Sequence, residues 1–357
     1  MNQSISGIQA IHHLHFYLRD LPYWQEQFCQ VWGFQIERQA PHTLDLCQGS
    51  LRLRLSQPAH GGDEVDRYLQ QHPPGVVDVA LAVGQEVVDV VAQLQGRGAE
   101  VERMPIQPEA GSAHWCLRTP YGLRHSLIPG SAPASPYRLF SHLDHVVLNV
   151  EQGSLQAAAE WYGQVLGWRC LYRYSISTDY SGLESVVIGD PSLGIHLAIN
   201  EPTSPSSQIQ EFLDVHHGPG IQHVALHSPD IVASLRQLRR AGVTFLQVPP
   251  SYYANLENQL STKLGLEKGV GSLFRARICW QDLVEQEILL DVTLPSSEQT
   301  PLLLQTFTQP LFHQPTFFFE IIQRLGGATG FGEGNFQALF EALERQQRQR
   351  TLARWGR

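Results

Sequence analysis

Cysteine is scarce in this 357-residue chain: there are five, at positions 29, 47, 116, 170 and 279, odd in number and with no CxxC pair. That pattern argues against a disulfide framework and a thiolate zinc site, and leaves reduced, structural cysteines as the expectation. Positive charge is also short. With 25 Lys and Arg against 34 Asp and Glu the formal net charge is −9, so the basic footprint of a nucleic-acid binder is missing. Long apolar runs are absent too: "VVDVALAV" and "TFFFEII" fall well short of the roughly 20 residues that cross a bilayer. The first residues, "MNQSISGIQ", show no charged-then-apolar leader pattern, so a cytoplasmic protein with no membrane partner is expected.

What the chain does have is 42% hydrophobic residues, enough for sizeable cores, and a length suited to two domains or a set of repeated modules. It repeats itself. "GVVDVALAVGQEVVDVVAQLQGRGAEV" (75–101) and "GIQHVALHSPDIVASLRQLRRAGVTFL" (220–246) both read strand, turn, amphipathic helix, Gly, strand. A weaker second pair joins "IHHLHFYLRDLPYWQEQFCQVWGF" (11–34) to "LDHVVLNVEQGSLQAAAEWYGQVLGW" (143–168). Four βαβββ modules follow, two per half, and paired modules of this kind curl their sheets around a shared cavity. The expected fold is therefore α+β: two pseudo-symmetric halves, each two modules curling into an open barrel, plus a C-terminal helix. The Pro-, Ser- and Ala-rich stretch "PGSAPASPYR" (129–138) separates an N-terminal domain, 1–130, from a C-terminal domain, 140–357. In the fourth module the β-like runs are "VTFLQV", "EILLDVT", "LLLQTFTQP" and "TFFFEII". An insertion at about 249–275, with a helical middle, is placed to frame a site.

One residue stands out in such a chain. Glu320 in "PTFFFEIIQR" (315–324) follows three phenylalanines and precedes two isoleucines, where an unpaired charge costs several kcal/mol. It needs a cation, a donor network or a metal. His145 in "LDHVVLNV" and His223 in "GIQHVALH" lie on the opening strands of the third and fourth modules, and strand alternation lets both project into one cavity. Two imidazoles and one carboxylate with further positions open suit a non-haem Fe(II) oxygenase, and the centre's charge of about +1 favours a chelating anion. Parity places Phe318, Glu320 and Ile322 on one face of their strand, with Phe317, Phe319 and Ile321 packing on the other. The first half differs: His13 matches His145, but Asp78 stands for His223, and the last strand, "LRHSLIP", has no carboxylate. A structural lobe without a metal is expected there.

Taken in order, "LDHVVLNV", "YSGLESVVI", "INEP", "SQIQEFLDVHHGPGIQHVAL", "VPPSYYANL", "LLLQTFTQP", "PTFFFEIIQR" and "GFGEGNFQALFEALE" resemble the 4-hydroxyphenylpyruvate dioxygenase family of the vicinal-oxygen-chelate superfamily. The likeness covers 140–345 closely and the first half mainly through length and module order. It implies one Fe(II) per chain on His145, His223 and Glu320, with 4-hydroxyphenylpyruvate and O2 as substrates and no separate 2-oxoglutarate. The implied reaction is oxidative decarboxylation, ring hydroxylation and side-chain migration to homogentisate, in tyrosine breakdown or prenylquinone and tocopherol synthesis. A homo-oligomer is implied as well.

Polar substrate contacts carried over from the family fall on Ser185, Asn200, Gln208 and Gln305, and also on Gln222, although parity turns that side chain away from the cavity. Aromatic walls are expected from Phe307, Phe318, Phe331 and Phe336, with Phe340 on the same stripe of the C-terminal helix. The glycines before that helix would hinge it as a lid. "GFGEGNF" lacks both the Lys and the context of a phosphate loop. Ala198 in "LAINEP" and the altered "GGATG" depart from the family pattern and bear on substrate fit. Two other readings compete: a hydroxymandelate synthase with the same iron site, and a non-catalytic small-molecule-binding protein built on the same modules.

Overall fold

The structure, a computed structural model, describes residues 5–84, 86–104, 115–130, 135–178, 181–264, 279–292, 301–336 and 338. Two eight-stranded mixed sheets organise them. The first contains β1 (Ile8–Tyr17), β2 (Gln35–Gln39), β3 (Thr43–Gln48), β4 (Leu51–Ser56), β5 (Gly75–Val83), β6 (Val101–Arg103), β7 (Trp115–Arg118) and β8 (Arg124–Pro129). The second contains β9 (His142–Asn149), β10 (Arg169–Ser177), β11 (Gly182–Asp190), β12 (Ile195–Pro202), β13 (Gly220–His227), β14 (Leu289–Val292), β15 (Leu302–Phe307) and β16 (Phe318–Leu325). Their orders are β2-β3-β4-β1-β5-β8-β7-β6 and β10-β11-β12-β9-β13-β16-β15-β14. Raising each label of the first order by eight produces the second, so the repeat read in the sequence is a repeat of topology. The fold is α+β with two equivalent halves, as expected.

Strand composition explains position in each sheet. β5 is buried at all nine residues and β13 at seven of eight, because both set apolar residues on both faces and need cover on each, and both lie centrally. The edge strands β2 and β10 are largely exposed and carry Arg, Gln and Tyr, which discourages pairing with another chain. The helix Leu155–Val165 buries Leu155, Ala158, Tyr162 and Val165, one stripe at helical spacing. Asp230 caps the helix Ile231–Arg240 by accepting from the Ala233 N–H at 3.0 Å, and Arg239 and Arg240 end it where cations suit the helix dipole.

One expected strand is reduced to a single bridge. "VTFLQV" contributes only Phe245 opposite Thr308, because the chain enters the helix Pro250–Leu264 directly afterwards, with Pro250 at its first position. The helical middle of the insertion is thus present, while 265–278 lie outside the described residues. So do Phe340 and most of the C-terminal helix, of which 333–336 and 338 are described as helical. "PGSAPASPYR" lies between β8, the last strand of one sheet, and β9, the first of the other.

Contact density separates the chain into two compact units, 1–226 with 310–319, and 227–309 with 320–357. Within the first, Phe317 and Phe319 join an aromatic core: ring centroids are 5.2 Å apart for Phe16 and Phe317, 5.1 Å for Phe317 and Phe319, and 4.9 Å for Trp32 and Phe319. Each such buried ring contributes roughly 2–3 kcal/mol. Within the second, the Tyr253 hydroxyl of the helix Pro250–Leu264 donates to the Ile288 carbonyl at 3.3 Å. No helix among the described residues is long and apolar enough to cross a membrane.

Candidate metal centre

β9 alternates so that His145, Val147 and Asn149 share a face. His145 is buried, and its Nδ1 donates to Asp144 Oδ1 at 2.9 Å. An imidazole held in this way presents the lone pair of Nε2, the tautomer a metal requires. His223 on β13 is held similarly, with Nδ1 at 3.3 Å from Gln222 Oε1. Burial, and then the neighbouring His145, keeps the His223 pKa well below the ordinary histidine value. The ring is therefore neutral and able to ligate. Phe318 stacks on it, with centroids 4.8 Å apart and planes 17° from parallel. The His145 and His223 rings lie 6.0 Å apart, nearly perpendicular.

Glu320 is 2% exposed. On the neighbouring β15 the register sets Phe307 opposite Glu320 and Gln305 opposite Ile322, so Gln305, Phe307, Phe318, Glu320 and Ile322 share one face. Gln305 Nε2 donates to Glu320 Oε1 at 2.8 Å and to the Phe331 carbonyl at 2.9 Å. Its Oε1 accepts from Asn335 Nδ2 at 2.8 Å, and the Tyr252 hydroxyl donates to Asn335 Oδ1 at 2.8 Å. Gly332, at φ +83°, passes so close that a Cβ there would meet Gln305 Oε1 at 1.9 Å. Only glycine fits that turn. These partners orient the Glu320 carboxylate, yet each is neutral.

β9, β13 and β16 are successive neighbours in the second sheet. The ligand atoms of His145, His223 and Glu320 all lie within 4.8 Å of one another, and all three residues are buried. No other group of three or more His, Cys, Asp or Glu side chains with such spacing occurs among the described residues. Two imidazoles and one carboxylate fit a divalent cation, which would complement the charge of the buried Glu320.

Around this group the remaining sequence-derived positions fall into distinct settings. Ser185 on β11 lies opposite Asn200 on β12, and Asn200 lies opposite Asn149 on β9, giving one polar row on the His145 face. Asn200 Nδ2 is 3.4 Å from Asn149 Oδ1, while Asn149 Nδ2 is buried with no partner among the described residues. Gln208 opens the helix Gln208–His216 and is buried, and its Oε1 also has no partner among the described residues. Buried amides of this kind are ordinarily satisfied, so both have capacity for a polar ligand. Phe307 and Phe331 are buried and Phe336 is half-buried. Gln222 has its amide oxygen at hydrogen-bond distance from the adjacent His223 ring. Gln305 also differs from a free substrate contact, being bonded through both ends of its amide.

Asp144, Asn149, Asn335 and Tyr252 were not singled out by the sequence. Two had a local signal: Asp144 precedes His145, and Asn149 follows it by two strand repeats. Asn335 and Tyr252 had none, because only tertiary folding brings them to Gln305.

Residues 142–258 match the glyoxalase/bleomycin resistance protein/dioxygenase superfamily. An uncharacterised protein of Synechocystis sp. is 34% identical over 94% of this chain and 98% of its own length. The 4-hydroxyphenylpyruvate dioxygenase of Yarrowia lipolytica is 34% identical over 84% of this chain and 79% of that protein. Among solved structures, a triple mutant of 4-hydroxymandelate synthase from Streptomyces coelicolor superposes with a TM-score of 0.79 at 26% identity, covering 96% of this chain and 99% of that one. With a buried His-His-Glu group, a repeated α+β topology and this identity across most of its length, the chain belongs to the 4-hydroxyphenylpyruvate dioxygenase family.

Proposed function

We propose that the chain is an Fe(II) enzyme that converts 4-hydroxyphenylpyruvate and O2 to homogentisate and CO2, with the iron on His145, His223 and Glu320. The observation that carries this reading is the buried His-His-Glu group beside a row of neutral polar side chains, Ser185, Asn200 and Asn149. When bound, the metal would supply Lewis acidity and a redox-active centre at which O2 oxidises the substrate.

The chain's own residues do the rest. Asp144 and Gln222 fix the two imidazoles in the ligating tautomer, and Gln305 fixes the carboxylate. A single anionic protein ligand leaves a divalent centre positive, which favours the 2-oxo acid end of the substrate. Ser185, Asn200 and Gln208 orient the substrate's carboxylate and phenol by hydrogen bonds that add no net charge. Phe307, Phe318, Phe331 and Phe336 pack the substrate ring and exclude water. In this reading 1–130 is a lobe without a metal and 140–357 carries catalysis.

The likeness to 4-hydroxymandelate synthase favours a second reading, in which hydroxymandelate is the product. Reconstitution with Fe(II) and 4-hydroxyphenylpyruvate without oxygen, followed by admission of O2, tests both. Equal amounts of CO2 and homogentisate are expected. Hydroxymandelate in place of homogentisate would select the second reading, and no CO2 from iron-loaded protein would reject both.

A further inference from the structure

The hydrogen bonds that reach Glu320 form a chain with a direction. It begins at the backbone N–H of Leu290, which can only donate, and which donates to the Tyr252 hydroxyl oxygen at 2.9 Å. Burial raises the pKa of Tyr252, so the phenol keeps its proton and has one O–H to give onward. That proton is 2.8 Å from Asn335 Oδ1 and 3.2 Å from the Leu290 carbonyl, measured from the Tyr252 oxygen. With Oδ1 turned to Tyr252, Asn335 must present Nδ2 to Gln305 Oε1. Gln305 is then left with Nε2 for Glu320 Oε1 and for the Phe331 carbonyl, a group that can only accept. The Phe331 carbonyl, which can only accept, fixes the orientation of Gln305 and through it that of Asn335, and the Tyr252 hydroxyl at the other end completes the same polarity.

We propose that Tyr252 and Asn335 are positioning residues for the metal ligand Glu320, acting through Gln305 by an amide relay of fixed polarity. The inference rests on Glu320 ligating the metal. Its content is that the relay delivers an N–H to the carboxylate. A flipped Gln305 would set its oxygen against Glu320 Oε1, and two acceptors at that distance repel, which removes the hydrogen bond that holds the carboxylate in place. Gln305 and Asn335 are 2% and 1% exposed, so bulk water does not compete for their amides. The relay also gives a chemical role to two segments that bear no metal ligand: the helix Pro250–Leu264, which carries Tyr252, and the glycine-rich stretch before Asn335.

Titration of metal-free protein with Co(II), read by competition with a chromophoric chelator and by the visible d–d band, tests the relay without turnover. Tyr252→Phe keeps the ring and removes the hydrogen bond to Asn335, and a fall in Co(II) affinity of about tenfold with a shifted band is expected. Asn335→Asp replaces the donor facing Gln305 with an acceptor, and a larger fall, up to about a hundredfold, is expected. Tyr253→Phe is the control: its hydroxyl bonds the Ile288 carbonyl in the same helix but lies outside the relay, and unchanged affinity is expected. Wild-type affinity and band in Tyr252→Phe, or an equal loss in Tyr253→Phe, would overturn the relay. Failure of the wild type itself to bind Co(II) through Glu320 would instead overturn the metal reading.

Discussion

The two sheets answer the same electrostatic problem in opposite ways. In the second, His223 on β13 has the Phe318 ring stacked on it, and Glu320 follows Phe318 by two residues. In the first, Asp78 on β5 stands for His223 and has Arg124 as its register partner on β8, with Ser126 two residues further along. Ser126 donates its N–H and hydroxyl to Asp78 at 2.9 and 2.5 Å, and Arg124 Nε lies 3.6 Å from the same carboxylate. Arg124 also reaches Glu64 and Tyr17. Burial pulls its pKa down, but Tyr17, Asp78 and Glu64 raise it by more, so the guanidinium stays charged. His12 occupies the place of Asp144, and its Nδ1 faces that of His13 at 2.8 Å. One sheet thus carries its cation as a side chain, whereas the other gathers two histidines and a carboxylate that fit a cation from outside.

Substitutions at the paired positions should break the two solutions differently. Glu320→Gln is expected to lower turnover on the order of a thousandfold or more, since altering a ligand's surroundings alone removes about 10–100-fold. Its unfolding midpoint without metal should stay at or above the wild-type value, because a buried charge has gone; circular dichroism melts and iron content would check this. The reverse holds in the first sheet. Arg124→Met strips Asp78 of its cation while leaving only the Ser126 donors, and a stability loss of about 3 kcal/mol is expected. Iron stoichiometry should not change in the folded fraction. A destabilised Glu320→Gln protein, or an Arg124→Met protein as stable as wild type in urea, would erase the contrast.

Much of this contrast was legible beforehand. That the two strand orders match follows from the two long repeats, and His145, His223 and Glu320 stand out because each is a polar residue inside a run that must be buried. Asp78 stands out for the same reason, but its partner does not: Arg124 opens β8 at a chain position where an arginine looks like an ordinary strand terminus. Short-range pattern says less about the ends of two amides. Period-two alternation fixes the direction of Cα–Cβ bonds, not the ends of flexible side chains, so Gln222 returns to His223 and Gln305 is taken up by Asn335 and Phe331. Tyr252 and Asn335 are 83 residues apart and carried no signal at all.

A smaller effect is expected at the carboxylate that orients His145. Asp144→Asn keeps an acceptor for Nδ1 but removes the charge, so metal affinity should fall by about tenfold while the metal-free fold is unaffected. His12→Asp would make the first sheet resemble the second at this position, yet no metal should be gained, because Arg124 and Ser126 already satisfy Asp78. Co(II) titration of both variants is the measurement, and a second equivalent bound by His12→Asp would show that the internal cation does not close that site.

Protons probe the comparison most gently. His216 ends the helix Gln208–His216, and its Nε2 meets the Tyr68 hydroxyl at 3.2 Å while its Nδ1 donates to the Gly218 carbonyl at 3.0 Å. Burial, and secondarily His72 and His217, lowers its pKa from 6.5 to about 4, against the opposing pull of the Gly218 carbonyl. The unfolded chain therefore binds a proton between those values that the folded chain refuses. Its contribution to stability is complete above pH 6.5 and is lost as pH falls toward 4, about 2 kcal/mol of it by pH 5. Urea midpoints of metal-free wild type and His216→Gln at pH 8 and pH 5 isolate this residue from the neutral imidazole of His223, which adds to the same slope in both proteins. The variant should lose less stability on acidification than the wild type. Parallel losses would place the acid sensitivity elsewhere, with the histidines of the metal centre as the next candidates, and adding Co(II) would then reduce it.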